Sequence, residues 1–183
     1  MRLAGVLAAL LAAFLPAFPQ QKPKVIREAL AAVERSFDSQ LSQLDKTDPI
    51  DLLGNTRGVY LDGYGVVFTT EVSLIITPGL TPFRTTPISK AEADSVHERK
   101  LAKLPALKRL MREMLVSSAA SLDFVPVNQQ VVVGVTLFYY SWEDKTGLPG
   151  QILLRAPRSS LLAYRLGKNT GTALDAAIRT EEF

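Results

Sequence analysis

The chain of 183 residues contains no cysteine and only one histidine. Without cysteine there can be no disulfide, thiolate zinc site, cysteine nucleophile or lipid-modified N-terminal cysteine. A single histidine, His97, also excludes most nucleophilic catalysis and most transition-metal sites. Asp94 lies three residues earlier on the same predicted helix face and could orient this imidazole. The simpler interpretation, which we favour, is a partly exposed histidine beside a carboxylate, and we expect no cofactor.

The chain also lacks a strong charge imbalance, since 21 basic side chains face 18 acidic ones and the formal net charge is +3. A balance this weak argues against a nucleic-acid partner. One stretch is locally basic, and its helical spacing places the cations on two roughly opposite sides. We therefore expect them to lie on solvated faces rather than on one polyanion-binding stripe. The six cations are Arg99, Lys100, Lys103, Lys108, Arg109 and Arg112.

The only long apolar run is at the N-terminus, from Leu3 to Leu15, and it follows the positive charge of Arg2. Its 13 residues are too few for a transmembrane helix, which needs about 20. A proline break at Pro16 and a small residue, Ala17, follow, as in a secretory signal peptide. We predict a signal peptide over residues 1–18, with a cleavage site near Ala17 that the pattern does not fix. The mature protein would be periplasmic or secreted, and we expect no membrane association after cleavage.

Residues 19–183 are predicted to form a single α+β domain. Apolar residues recur every three or four positions between Pro23 and the Asp48–Pro49 pair, which indicates a long amphipathic helix. A capping box at Ser89 and Glu92 begins a second long helix, which we expect to be kinked or restarted at Pro105. The apolar positions of the first helix are Ile26, Leu30, Val33, Phe37, Leu41 and Leu44.

Strands are predicted around Val66 to Ile76, over Val131 to Tyr140 and over Gln151 to Ala156. The stretch from Thr77 to Pro87 holds three prolines and is expected to be irregular. A short helix capped by Ser159 or Ser160 and a final helix, Thr172 to Arg179, complete the prediction. These elements favour a small sheet of three or four strands, with both long helices packed on one face.

The glycine-rich stretch Gly58 to Phe68 is the most distinctive part of the sequence. Glycines within a strand pattern indicate a bulge, a tight hairpin at Asp62–Gly63, or close approach by another chain or ligand. In a continuous strand, Tyr60, Asp62 and Tyr64 would share one face. Aromatic side chains are favoured at protein interfaces. The predicted partner-binding residues are Tyr60, Asp62, Tyr64, Tyr140 and Trp142.

The segment Gly63 to Phe68, with the sequence G-Y-G-V-V-F, is followed by a helix, the Val131 to Tyr140 strand and a Leu148–Pro149 turn into another strand. This order resembles that of exported bacterial proteins of unassigned function. The resemblance covers most of the mature chain and implies an exported protein. It brings no catalytic residues with it.

Two hypotheses about function follow. The favoured one is a non-enzymatic module that binds another envelope protein or a cell-envelope component, in an oligomeric state that the sequence leaves open. The alternative is a hydrolase of an envelope polymer that uses carboxylates on or beside strands. A pair of such carboxyl groups would have to lie about 5 to 9.5 Å apart in one cleft. The candidate carboxylates are Asp62, Glu71, Glu143 and Asp144.

Overall fold

A computed structural model describes residues 23–77 and 87–183. The predicted signal peptide, and residues 78–86 of the proline-rich stretch, lie outside the described residues. The described chain has an α+β fold in which four α-helices accompany one mixed sheet. The helices are α1 (Pro23–Ser42), α2 (Lys90–Ser118), α3 (Arg158–Arg165) and α4 (Gly171–Ala177), and a 3-10 turn, Ala119–Ser121, follows α2. The strands are β1 (Asp51–Leu52), β2 (Arg57–Leu61), β3 (Gly65–Ser73), β4 (Gln130–Leu137), β5 (Gln151–Pro157) and β6 (Arg179–Glu182).

The sheet is larger than the predicted three or four strands. Strands β3, β4, β5 and β6 are neighbours in that order, while β1 and β2 both pair with the outer edge of β3. Only the β3–β4 pair is parallel, and α2 lies in the crossover between them. The prediction missed β1 and β6 because β1 has two residues and β6 is four polar residues long, so neither shows the alternation of a half-buried strand. The predicted final helix is likewise too long, since α4 ends at Ala177 and the chain continues as β6.

The first long helix is confirmed by burial. Leu30, Val33, Phe37 and Leu41 are buried, while Ile26 and Leu44 are partly buried against the same core. Phe37 contacts Phe68 of β3 edge to face, with ring centroids 5.1 Å apart. The apolar stripe therefore packs α1 against the sheet.

The second long helix begins at the predicted capping box. The Ser89 hydroxyl accepts a hydrogen bond from the Glu92 amide, and the Glu92 carboxylate accepts one from the Ser89 amide. The helix is not restarted at Pro105, because α2 is continuous from Lys90 to Ser118. Pro105 is exposed, as is Leu101 one turn before it, so water can satisfy the carbonyl group that proline leaves without a partner.

One face of the sheet carries the hydrophobic core, to which both long helices contribute. We call this the covered face. It presents alternate residues of the central strands, which the pairing register aligns across the sheet. These residues are Val66, Phe68, Val72, Val131, Val133, Val135, Leu137, Ile152, Leu154 and Ala156.

The opposite face, called the open face below, is not covered by a helix of the described chain. Val59 and Leu61 of β2 are 54% and 46% exposed there. Thr69, Glu71 and Thr136 are also exposed. One row of aligned positions crosses five strands on this face, and it runs from apolar residues to two arginines. The row is Val59, Val67, Val132, Arg155 and Arg179.

Helix α1 also protects the β2 edge of the sheet. The carboxylate of Glu34 accepts the Gly58 amide at 2.7 Å, and that of Asp38 accepts the Thr56 amide at 2.8 Å. Arg27 forms a 2.7 Å ion pair with Glu34. These carboxylates occupy backbone donors that could otherwise pair with a foreign strand.

Candidate functional site

The five predicted partner-binding residues do not form one site. Asp62 and Tyr64 precede β3, whereas Tyr140 and Trp142 follow the end of β4. Because β3 and β4 are parallel, with Gly65 opposite Gln130 and Val72 opposite Leu137, these two groups lie at opposite ends of the sheet. Seven strand steps separate the ends by roughly 23 Å. The two ends are therefore considered separately.

At the first end, the glycine-rich stretch forms a β-hairpin, one of the three predicted alternatives. Leu61 pairs with Gly65, and the Tyr64 amide donates to the Leu61 carbonyl at 3.1 Å. Gly63 has a φ of 74°, in the left-handed region that favours glycine. Because the chain turns at Asp62–Gly63, Tyr60 lies in β2 and Tyr64 in the turn before β3, so the two do not share the face that a continuous strand would give them.

Gly65 is required by close approach of the backbone. Its φ is 137°, and a Cβ atom at this position would clash with the backbone of Gln130 on β4. The Gln130 amide donates to the Tyr64 carbonyl at 2.9 Å, which joins the hairpin to the start of β4. This contact explains the second glycine of the G-Y-G segment as a structural requirement.

Tyr60 and Tyr64 have different surroundings. Tyr60 is half-buried, packs edge to face on Phe124 at 5.6 Å and donates its hydroxyl hydrogen to the Gln129 side chain at 3.2 Å. Tyr64 is 40% exposed at the tip of the hairpin. The structure therefore gives Tyr60 a packing role and leaves Tyr64 available at the surface, beside the exposed Asp62.

A groove of about 770 Å³ lies next to the tip of this hairpin, and we call it the hairpin groove. Its walls come from the hairpin, the segment before β4, the end of β5 and the junction between α4 and β6. No carboxylate lines it. The lining residues are Gly63, Tyr64, Asn128, Gln129, Gln130, Arg155, Pro157, Ala176, Ala177 and Arg179.

The two arginines of the groove occupy directly paired positions of β5 and β6. Arg155 donates to Glu181 at 2.6 Å, but its buried Nε atom has no hydrogen-bond partner in the described part of the chain. Arg179 is exposed, and within residues 23–77 and 87–183 no carboxylate pairs with its guanidinium. Sequence reasoning missed both arginines because they lie in separate elements and only the strand register brings them together.

At the other end of the sheet, Lys100 of α2 and Glu143 form a fully buried ion pair. Their side chains are 0% and 1% exposed, and the Lys100 Nζ atom lies 2.5 Å from the carboxylate. Lys100 also donates to the Phe138 carbonyl at 3.3 Å, while Glu143 accepts the Tyr140 amide at 3.1 Å. The lysine stacks on the Tyr139 ring, 4.8 Å from its centroid. The ion pair and its hydrogen bonds thus connect the loop after β4 to α2.

Burial shifts the titration of this cluster. Desolvation lowers the pKa of Lys100 from 10.5, and the hydrogen bond and charge of Glu143 oppose that shift. Desolvation, together with the Glu143 charge, raises the pKa of Tyr139 to about 12. The Tyr139 hydroxyl donates to the Pro149 carbonyl at 2.8 Å. A shifted pKa in a cleft can mark a reactive group, but Lys100 has no exposed surface from which to reach a substrate.

The burial of Lys100 corrects the expectation for the basic run. Lys103 is also buried, with its side chain 7% exposed, and it pairs with Asp48 at 3.0 Å. The expectation of a solvated face holds for Arg99 and Arg109, which are exposed. The two lysines find partners 43 and 55 residues away in the sequence, so local spacing could not predict their burial.

Tyr140 and Trp142 are half-buried and stack on each other, with ring centroids 5.9 Å apart. Phe138 contacts Tyr140 edge to face at 5.0 Å. Trp142 also lines a pocket of about 310 Å³ against the first turns of α2, and its Nε1 atom is buried without a hydrogen-bond partner. This aromatic row covers the end of the sheet beside the buried ion pair.

The structure does not form the Asp94–His97 pair, which is the less favoured interpretation of the sequence. Asp94 forms an ion pair with Lys90 at 2.7 Å, while the His97 Nδ1 atom lies 3.0 Å from the Asp144 carbonyl oxygen. The His97 side chain therefore links α2 to the loop after β4, and no carboxylate of the described residues is hydrogen-bonded to its imidazole.

The four candidate carboxylates are also dispersed or already bonded. Glu143 is buried in its ion pair, and Asp144 accepts the amide and hydroxyl of Thr146 in a turn. Asp62 lies in the hairpin at the far end of the sheet, and Glu71 is exposed on β3. Within the part of the chain that is described, no three metal-ligating side chains are grouped to hold an ion.

Comparison with known proteins finds no matching family model, no matching curated protein and no matching solved structure. Among the described helices, none is both long and apolar enough to cross a bilayer. The resemblance of the G-Y-G-V-V-F segment to exported bacterial proteins therefore stays a prediction.

Proposed function

We propose that this protein is an exported, non-enzymatic module that binds another envelope protein or an envelope component through its hairpin groove. The proposal of export rests on the signal peptide predicted over residues 1–18. The observation that carries the binding proposal is the groove itself, which joins the exposed Tyr64, a predicted contact residue, to amides and arginines of three other segments. A concave site with a few convergent polar groups is the usual form of a binding site.

The contrast between the two ends of the sheet also supports this location. Around Lys100 and Glu143 the charged groups are buried and bonded to one another. At the hairpin groove, Tyr64 and Arg179 are exposed and the Arg155 Nε atom has no partner. A partner would find unused contact area and hydrogen-bonding capacity at the groove.

Cross-linking tests the proposed surface. Because the natural chain has no cysteine, the Ala176→Cys variant, at an exposed position in the lining of the groove, can be labelled with a benzophenone maleimide while Tyr64 is kept. We expect irradiation in an envelope extract to give a discrete adduct. The matched control is Arg35→Cys, an exposed position on α1 away from the groove. Adducts of equal yield at both positions, or none at Ala176→Cys, would contradict the proposal.

Export is tested by expression in a Gram-negative host. We expect the protein in the periplasm or medium, shortened by about 17 residues. Full-length protein in the cytoplasm would contradict export, and full-length protein in the inner membrane would mean that the segment is an uncleaved anchor.

A further inference from the structure

We propose that Arg155 and Arg179 bind an oxyanion of the partner, a carboxylate or a phosphate, in the hairpin groove. This inference rests on the proposed function, because it assigns the chemical class of ligand that the same groove takes. It is carried by three features of the groove: the register of the two arginines, the unpaired donor on Arg155 and the absence of acidic residues from the lining.

The register places two like charges side by side. Arg155 and Arg179 are direct partners of the antiparallel β5–β6 pair and lie on the open face. Like charges at such positions are destabilising in a sheet without a counter-ion. Glu181 on the same face pairs with Arg155 only, so two positive charges meet one negative charge. An anion bound between the guanidinium groups would remove the remaining repulsion.

The donors are also suited to an oxyanion. A buried N–H group without a partner is rare in folded proteins and costs free energy until an acceptor reaches it. Among the described residues, the Nε atom of Arg155 is such a group, and the Arg155 side chain, which is 38% exposed, must shift for an anion in the groove to reach that atom. Guanidinium groups offer fixed pairs of N–H donors that match the oxygens of carboxylate and phosphate. Asn128, Gln129 and Gln130, on the wall formed by the segment that leads into β4, add polar surface to the groove.

Helix α4 opposes anion binding only weakly. Its C-terminal residues Ala176 and Ala177 line the groove, and the carbonyl end of a helix carries partial negative charge. The helix has seven residues, and the Ile178 amide already donates to the Leu174 carbonyl. At close range the two guanidinium charges, only one of which is compensated by Glu181, outweigh this partial charge.

The test follows the arginine Nε–H resonances of the ¹⁵N-labelled protein during titration. The probes are inorganic phosphate and acetate, and sodium chloride at matched ionic strength is the control. We expect the Arg155 Nε–H resonance to shift with a saturable dependence on at least one of the two oxyanions but not on chloride. The two titrations also distinguish the sources, since a phosphate site prefers the first probe and a carboxylate site the second.

Three variants distinguish specific anion binding at the two arginines from non-specific attraction to surface charge. Arg179→Gln should weaken binding about ten-fold or more, because it removes a charged donor. Arg155→Lys keeps the charge but removes the Nε–H donor, and it should weaken binding similarly. Arg57→Gln is the matched control, because Arg57 is exposed on the same open face but outside the groove. It should leave the affinity within about two-fold.

A response to chloride equal to that of the oxyanions would overturn the inference. So would equal loss in Arg57→Gln and Arg179→Gln, or no saturable shift in a folded protein. If oxyanions do not bind while Ala176→Cys still cross-links specifically, the oxyanion site fails and the proposed function stands. If oxyanions bind but Ala176→Cys gives no adduct, the site stands and the proposed function fails.

Discussion

The two faces of the sheet are formed by the same strands but differ in their surroundings: one packs against the core, and the other is not covered by a described helix. On the covered face, Phe37 and Phe68 are no more than 1% exposed and contact each other. On the open face, one row of aligned positions ends in the two arginines of the hairpin groove. Free energy of folding comes chiefly from the apolar area that the covered face buries. Polar groups at the groove contribute less to folding and remain available to a partner.

The largest effect should come from breaking the covered face. Phe37→Ala removes a buried aromatic side chain, so we expect the free energy of unfolding to fall by about 3 to 5 kcal/mol. Urea denaturation followed by circular dichroism measures this. Arg35→Ala, two residues earlier on the exposed side of α1, should change it by less than about 0.5 kcal/mol. Small, equal effects would mean that α1 is detached from the domain.

The two glycines of the hairpin are required for different reasons: Gly65 because a side chain would clash, and Gly63 because of its backbone conformation alone. Gly65→Ala should cost about 2 kcal/mol or more, because the added Cβ meets the Gln130 backbone at a φ that only glycine favours. Gly63→Ala has open space around the added Cβ and should cost about 1 kcal/mol for the left-handed φ alone. Thermal denaturation shows which of the two variants is less stable. A Gly63 variant less stable than the Gly65 variant would contradict the register of β3 and β4.

Alkaline titration tests the buried cluster at the other end of the sheet. The Tyr139 pKa is raised from 10.0 to about 12, so the folded state keeps a proton that the unfolded state loses. The stability from this shift is present below pH 10 and is lost as the pH rises through about 12. Two pKa units correspond to about 2 to 3 kcal/mol. Lys100, with its lowered pKa, acts in the opposite direction, because the unfolded state then holds the proton more tightly.

The Tyr139→Phe variant isolates the tyrosine. It should lose about 1 kcal/mol at pH 7, from the hydrogen bond to Pro149, and should show a shallower fall in stability between pH 10 and 12. Tyr140→Phe is the control, and it should retain the slope of the natural protein. Identical slopes in all three proteins would show that Tyr139 titrates as an exposed phenol does.

His97→Gln should have the smallest effect on folding, since within the described residues the imidazole of His97 has one hydrogen-bond partner, the Asp144 carbonyl. We expect the free energy of unfolding to stay within about 0.5 kcal/mol of the natural value, as measured in urea. Partner binding should be unchanged. A loss of function at constant stability would instead indicate acid–base chemistry by this histidine.

Local patterns in the sequence predicted the elements of the covered face. The spacing of apolar residues identified α1, and the Ser89–Glu92 pair identified the start of α2, because both signals lie within a few helical turns. The two-sided apolar run from Val131 identified β4, although the strand ends at Leu137, before the aromatic residues. Strand β6 was not predicted, because all four residues of its sequence, RTEE, are polar and neither face of this edge strand shows an apolar pattern.

The groove and the buried ion pair depend on contacts distant in sequence. Tyr64 could be singled out from its glycine neighbours, but Arg155 and Arg179 lie in different strands and only the register makes them neighbours. Lys100 likewise reads as an ordinary cation of a basic helix until Glu143, 43 residues later, is placed beside it. Such pairs carry no local periodicity, so a single sequence does not reveal them.

The most direct test of the account combines two measurements on Tyr64→Ala. If the hairpin groove binds the partner, the melting temperature should stay within a degree or two of the natural value, because Tyr64 is exposed, while capture of the cross-linked partner is lost. If Tyr64 instead only covers the sheet, the variant should melt early. A Tyr64→Ala protein that melts early and, once refolded, still captures the partner would contradict the proposed contact surface.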